Sequence, residues 1–425
     1  MYLNRSKSKW RVILPIILVI SLLGAVMLSG CGGAPKKEDS KPEAAKDPVK
    51  IGMTSALTGP YSEFGEGNRR GVVVAVEQWN RIGGINGRKI ELITRDDQLD
   101  PNKAVINMKE LLEKEKVVAI IGPAGSGPAM ATVPLCEAKN IPFINTIAQT
   151  PAIIYPKGVT GQDPRPNAFT AAIQNDVEAV AAAKFLAGNW NKIGLMHEST
   201  TYGSTGIDII WKKLEAEYGK IPVGREQYDQ KDPDMTAQLA RLQKKGAEVI
   251  FVIGLGADTA AIRKDMNRLG LSIPLVGSMG IFSQPYREIA GDLAVGTIGT
   301  CKMDWAKAPP TREIALKYKE DYLKIWGHDR WWGPDEWPDP QFANNTQAYD
   351  AAIVLFEAIK RANSTEGQKI IDELNKLKDF PCIGLNFSFS KDKHHAVEPE
   401  HLGIFVLSKD GNKIVLKPYE GAVKK

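Results

Sequence analysis

The chain has 425 residues, 43% of them hydrophobic and 25% charged, which is enough for two domains of common size and too apolar for a disordered chain. Its net charge is +5, yet four of the 55 Lys and Arg and none of the 50 Asp and Glu fall in the first thirty residues. The remainder is nearly neutral, so the strong positive field that nucleic-acid binding requires is excluded.

The first element is a targeting segment. Arg5, Lys7, Lys9 and Arg11 precede an apolar run from Val12 to Met27, which ends in Leu28-Ser29-Gly30-Cys31. The run is shorter than the roughly 20 residues that span a bilayer. A basic start, an apolar middle and small residues before a cut describe a secretory signal. The Cys at the cut resembles the lipobox of bacterial lipoproteins, which implies cleavage before Cys31 and a lipid on its sulfur. An uncleaved N-terminal anchor is the alternative and gives nearly the same topology. Either way the protein is expected in the cell envelope, outside the cytoplasm, lipid-anchored to a membrane, with no ATP or NAD pool to draw on and no cofactor. Gly32 to Pro48 is rich in Lys, Glu, Asp, Pro and Ala without a large apolar side chain, the composition of a spacer that cannot order itself.

From residue 49 strand and helix patterns alternate. A β-rich run over 49–55 is followed by a helix over 67–82, with Val72, Ala75, Val76 and Trp79 at helical spacing. A strand over 89–95, a helix over 104–112, an apolar strand over 117–121, a helix over 129–138 and a strand over 141–144 follow. A loop over 150–167 interrupts the rhythm. It resumes with helices over 177–187, 204–218, 235–244 and 259–269, each preceding a strand, at 192–196, 222–228, 249–253 and 273–276. Helices over 311–326 and 344–361 come next, and strand patterns over 383–389, 404–407 and 413–416 close the chain. Two successive series of this kind predict an α/β protein of two doubly wound lobes with parallel sheets.

Val49-Lys50-Ile51-Gly52, Leu57-Thr58-Gly59-Pro60, Gly83-Gly84-Ile85-Asn86-Gly87-Arg88, Asp96-Asp97 with Asp100-Pro101, and Ile121-Gly122-Pro123 occur in that order, followed by Tyr202-Gly203 and Tyr349-Asp350-Ala351. Together they resemble the leucine/isoleucine/valine-type solute-binding proteins of ABC importers, over essentially everything from residue 49 onward. The resemblance implies a type I periplasmic binding protein: two lobes joined by three crossover segments, with a cleft that closes on a small molecule as a hinged trap. The expected division is a signal at 1–30, a tether at 31–48, one lobe of 49–172 with 301–380, and a second of 173–300 with 381–425. The implied partners are a small-molecule ligand, ABC permease subunits and a membrane reached through the lipid; no nucleic acid is implied.

Ligands of open α/β sheets bind beyond the carboxyl ends of strands. Gly122 to Pro128 is such a loop: Ser126 is a good N-cap, Pro128 suits a first helical turn, and free amides there, Gly127 included, favour an anion. The family uses this Ser and these amides for a ligand carboxylate; a plain capped turn is the blander alternative. In the next loop the family places a backbone carbonyl and a hydroxyl at Ala148 and the following position, which here is Gln149, and Thr150 begins a helix. Phe64 and Tyr202 stand where the family carries aromatic lids from the two lobes, against loop packing as the alternative. The loop Gly277 to Phe282 is where the family's amino-acid binders keep an acid for the ligand ammonium. Here it holds Met279 and no acid, so the expected ligand is an amino acid or an amine-free aromatic or aliphatic carboxylate. Asp258, one loop earlier, reads as a helix cap.

Of the remaining thiols, Cys301 and Cys382 are paired as a candidate disulfide, and Cys136 on an apolar helix face reads as a buried thiol. Trp331 to Trp337 reads as a surface insertion, with a ligand platform or a permease contact as alternatives. His394, His395 and His401 lack metal-ligand spacing, so no metal is expected. No nucleophile, base and orienter set supports an enzyme; a tethered hydrolase would have to rest on His197. A ligand sensor signalling to a membrane partner is the remaining competitor.

Overall fold

The computed structural model describes residues 46–302, 312–328 and 345–421. The signal, Cys31, most of the spacer and the Trp331 to Trp337 segment lie outside the described residues.

The first lobe is built from β1 (Val49–Ser55), α1 (Ser62–Arg81), β2 (Ile90–Asp96), α2 (Pro101–Glu113), β3 (Ala119–Ile121), α3 (Ser126–Ala138), β4 (Phe143–Asn145) and β5 (Ala168–Thr170). Its sheet runs β2-β1-β3-β4-β5, all parallel. The second lobe follows with α4 (Asn175–Asn189), β6 (Ile193–Glu198), α5 (Thr201–Tyr218), β7 (Gly224–Tyr228), α6 (Thr236–Lys244), β8 (Val249–Ile253), α7 (Gly256–Arg268), β9 (Leu275–Gly277), α8 (Gln284–Ala290) and β10 (Ile298–Lys302). Then come α9 (Glu313–Trp326), α10 (Asn345–Ala362), α11 (Gly367–Leu374), the short pair β11 (Phe380–Pro381) and β12 (Asn386–Phe387), and finally β13 (Leu402–Asp410) and β14 (Lys413–Pro418). The second sheet runs β14-β13-β10-β9-β8-β6-β7. Its β7-β6-β8-β9-β10 portion repeats the strand order of the first sheet. The two parallel sheets of the doubly wound lobes are as expected; the closing strand β13 adds to the second sheet, pairing antiparallel with both β10 and β14.

Central strands such as β3 and β8 are apolar on both faces, as strands covered by helices on each side must be. β8, Val-Ile-Phe-Val-Ile, is buried throughout. In the first lobe α10 lies on α1; Trp79 meets Phe356 edge-on at 5.8 Å, and Tyr318 packs on Tyr349 at 4.7 Å. The polar edge of this contact is also built: Gln78 donates to Asp321 at 2.9 Å, and the Tyr349 hydroxyl donates to Gln78 at 2.6 Å.

The chain crosses between sheets after β5, again between β10 and α9, and a third time before β13. The third crossing is later than the sequence suggests. Ile383, Leu385, Phe387, Phe389, Ala396 and Val397 all sit in the core of the first lobe, so the boundary expected at residue 381 falls near residue 400. The histidines explain why. His394 stacks on Phe169 at 4.0 Å, and its ring nitrogens meet the Ala168 carbonyl at 2.9 Å and Asn375 Oδ1 at 3.0 Å. His395 Nδ1 meets the Tyr155 hydroxyl at 2.6 Å, and its backbone bridges Thr170. These rings fasten the returning chain to β5, and no metal-ligating group of three or more side chains occurs among the described residues.

Cys301 and Cys382 are not joined. Both are buried thiols, Cys301 in the core beneath β10 and Cys382 in the core of the other lobe. The two side chains pack in different apolar clusters, so the expected pairing is not made. Cys136 is a buried thiol, as expected.

Candidate functional site

A cleft opens where the carboxyl ends of both sets of parallel strands face each other. The first lobe contributes Phe64, Leu99, Pro101, the Ala124 to Pro128 turn, and Ile147, Ala148 and Gln149. The second contributes Glu198, Thr200, Tyr202, Gln230, Leu255, Met279 and Gly280.

The loop before α2 shows how the sequence shapes this wall. Gln98 and Leu99 take left-handed backbone, at φ 53° and 64°, which costs energy in residues with a Cβ. Two acids hold them there. Asp96 accepts the Gln98 amide at 3.0 Å and Asp97 accepts the Leu99 amide at 2.9 Å. Burial pushes the Asp97 carboxyl up to about 6. Leu99 then approaches the next turn so closely that a Cβ at position 125 would lie 2.5 Å from its Cδ1, so Gly125 permits the contact.

Gly125, not Ser126, is the N-cap of α3, and Ser126 is its first residue. The amides of Ser126 and Gly127 therefore have no acceptor within the helix. Ser126 Oγ accepts the Thr150 amide at 3.4 Å, which draws the Ala148 to Thr150 loop against the helix start. The pattern of free amides, a hydroxyl and a helix dipole suits a carboxylate. Ala148 is buttressed by Asn145, whose Nδ2 donates to its carbonyl at 2.7 Å and whose Oδ1 accepts its amide at 3.1 Å. Gln149 lines the cleft, but Thr150 does not. Its hydroxyl instead donates to the Thr201 carbonyl of the other lobe at 3.5 Å.

On the facing wall Tyr202 is buried, its hydroxyl hydrogen-bonded to Ser278 Oγ at 2.6 Å, and burial pushes its phenol well up. Met279 donates its amide to Glu178 Oε1 at 2.7 Å. Glu178, on α4, also accepts the Thr300 hydroxyl, and burial pushes its carboxyl up to about 7. Glu198, at the end of β6, is the acid in the cleft wall that sequence reasoning missed. Its Oε2 accepts the Thr200 amide at 2.8 Å, and its Oε1 accepts the Thr200 hydroxyl at 2.6 Å and the Gly203 amide at 2.8 Å. Both oxygens are thus committed to the start of α5. Gly203 is required there, since a Cβ would lie 2.2 Å from the Glu198 carbonyl.

Asp258 is not a helix cap. It accepts the Tyr61 hydroxyl at 3.0 and 3.3 Å and the Lys231 amide at 3.1 Å, so it ties the second lobe to the first. Tyr61, Phe64, Ala124 and Ile147 form a small apolar cluster on which Leu255 of the other lobe packs. Phe64 and Tyr202 line the cleft from the first and the second lobe respectively. His197 lies outside the cleft lining; its Nε2 accepts Arg225 Nε at 2.9 Å and its Nδ1 meets the Glu198 carbonyl at 2.9 Å.

Among solved structures, a periplasmic binding protein type 1 from Bordetella pertussis is 46% identical, at TM-score 0.83, over 88% of this chain and all of that one. A solute-binding protein of an ABC transporter from Rhodopseudomonas palustris, in complex with 4-hydroxybenzoate, shares the fold at TM-score 0.74 and 19% identity, over 88% and 96% of the two chains. The leucine-, isoleucine-, valine-, threonine- and alanine-binding protein of Pseudomonas aeruginosa is 24% identical over 332 residues, 78% of this chain and 83% of that one. The family model for periplasmic binding proteins matches residues 48–412. With its paired doubly wound sheets and the cleft between them, the chain belongs to the periplasmic binding protein family.

Proposed function

We propose that this protein is an extracytoplasmic solute-binding lipoprotein that captures a small carboxylate with an apolar body and delivers it to the permease of an ABC importer. Cys31 carries the lipid and the spacer after it holds the two lobes near the permease at high effective concentration. Hinged closure of the lobes traps the solute. The observation that carries the choice of solute is the polar inventory of the cleft. The amides of Ser126 and Gly127 receive a carboxylate, while Glu198 already accepts three hydrogen bonds from Thr200 and Gly203 at the start of α5. The Met279 loop itself offers an ammonium no acid, and burying a charge without a committed partner is costly. Phe64, Leu99, Ile147, Leu255 and Met279 supply the apolar surround. The fold itself accommodates an amine-free acid, as the 4-hydroxybenzoate complex illustrates.

The relatives favour a second reading. The Pseudomonas aeruginosa protein is named for amino acids, and an amino acid is the solute if its ammonium finds acceptors in the closed cleft. A thermal-shift and calorimetric screen separates the two. Amine-free aliphatic and aromatic acids are expected to raise the melting temperature, since a ligand bound only by the folded state must stabilise it. A larger shift with leucine or valine selects the second reading. No shift with any small molecule overturns the transport assignment.

A further inference from the structure

We infer that Leu99 covers the start of α3 and selects a planar carboxylate over a tetrahedral anion, with Asp97 as the residue that positions it. This rests on the reading of the α3 N-terminus as the carboxylate site and specifies what that site takes. Leu99 and Pro101 line the cleft beside Gly125, Ser126 and Gly127. A Cβ at position 125 would lie 2.5 Å from Leu99 Cδ1, and one at position 127 would lie 3.2 Å from Pro101 Cγ. The loop before α2 is therefore pressed onto the helix start, and the missing side chain at Gly125 lets it approach. Leu99 also packs on the Tyr61, Phe64, Ala124 and Ile147 cluster, which anchors its side chain.

Leu99 does not take this place by its own preference. Its left-handed backbone, at φ 64°, is one that a residue with a Cβ keeps only where the surroundings over-determine it. Asp97 supplies that constraint. It is fully buried; one oxygen accepts the Leu99 amide at 2.9 Å and the other accepts the Thr54 hydroxyl at 3.0 Å. The Thr54 oxygen in turn accepts Asn107 Nδ2 at 3.1 Å, so its single proton is directed at Asp97. The donors that α3 itself brings to the cleft are the amides of Ser126 and Gly127 and the Ser126 hydroxyl. The oxygens of a planar carboxylate can take them. The third oxygen of a sulfonate or phosphonate has to face Leu99 and Pro101, whose side chains offer no hydrogen bond. A polar atom buried without a partner is costly, and the site rejects the anion that brings one.

Matched pairs of anions test this by calorimetry: 4-methylpentanoate with 3-methylbutane-1-sulfonate, 3-phenylpropanoate with 2-phenylethanesulfonate, and leucine with 1-amino-3-methylbutylphosphonate. In each pair that binds, the carboxylate is expected to bind about fivefold tighter or more. Leu99→Gly removes the cover and suits the left-handed backbone, so the loop keeps its course while the ratio falls to about twofold or less. Asp97→Ala should lower the ratio likewise. Asp97→Asn, which keeps an acceptor for the Leu99 amide, should hold it near the wild-type value. A purely structural role would weaken both members of a pair together and leave the ratio unchanged. If a pair binds to the wild type without reaching the expected ratio, the inference fails and the carboxylate reading stands. A ratio that persists in Leu99→Gly removes Leu99 from the role. One that persists in Asp97→Ala, or is lost as fully in Asp97→Asn, removes Asp97. If none of the three carboxylates binds, the carboxylate reading fails and the inference with it. The wild type and Leu99→Gly decide the matter even if Asp97→Ala does not fold.

Discussion

Glu178 is 2% exposed, and its hydrogen-bond donors are the Met279 amide and the Thr300 hydroxyl. Burial raises its carboxyl from an ordinary value of 4.5 to about 7. In the unfolded chain the proton leaves near the ordinary value, and in the folded protein near 7. Between those values the folded state holds a proton that the unfolded state has lost, so stability falls as pH rises through the window and levels off above it. The shift corresponds to about 3 kcal/mol. Glu178→Gln keeps an acceptor and cannot ionise. Measured by urea unfolding, the variant should gain on the wild type by about that amount between pH 5 and pH 8. A difference that is the same at both pH values would falsify the assignment. The thiols give a second expectation at this scale. Cys136, Cys301 and Cys382 are buried and unbridged, so reductant should leave the melting temperature unchanged, whereas loss of a native disulfide would lower it by several degrees.

The element that most directly tests the site is α3. Its N-terminus presents two backbone amides and the Ser126 hydroxyl, so Ser126→Ala removes only part of the carboxylate site. Affinity for the best carboxylate should fall about tenfold or more, as for a hydrogen bond to a charged group; unchanged affinity in calorimetry moves the site elsewhere. This element also shows what the sequence conceals. The helix was legible from residue 129 because Ala129, Thr132, Val133 and Cys136 form its buried face, whereas Ser126 and Gly127 carry no periodic signal. For the same reason α1 begins at Ser62 rather than at residue 67: its first turn, Ser62 to Glu66, includes a glycine and two acids, and tertiary contact rather than pattern holds it. The strand β5 has only three residues, in the stretch left unassigned between the loop over 150–167 and the helix expected from 177, and α8 is one short piece after a 3-10 turn. The cleft walls were legible where they follow strong strands, as at Ser126, Gln149 and Met279. Glu198 was missed because an acid at a strand end looks like any surface acid until the start of α5 folds back on it. Asp258 was misread because the hydroxyl it accepts lies nearly two hundred residues away, on Tyr61.

At the scale of the whole molecule, that long-range bond joins the two lobes. Tyr61 with Asp258, Thr150 with Thr201, and Leu255 on the Phe64 cluster join the two lobes without belonging to the carboxylate site itself. A ligand's apparent affinity scales with the fraction of molecules in the closed state, so contacts made only on closure contribute to affinity without touching the ligand. Tyr61→Phe deletes one hydroxyl, keeps the ring in its apolar cluster, and leaves Asp258 with the Lys231 amide alone. The core of each lobe is untouched, so the melting temperature without ligand should barely move. Affinity for the best carboxylate should fall about tenfold, the worth of one hydrogen bond to a carboxylate, and most of the loss should appear as faster dissociation because the bond forms as the lobes meet. Asp258→Ala should produce a similar loss. In the double variant the losses should not add, since both remove the same bond. Additive losses, or a Tyr61→Phe protein that binds as tightly as the wild type, would show that closure is held by the apolar contacts of Leu255 and not by this hydrogen bond.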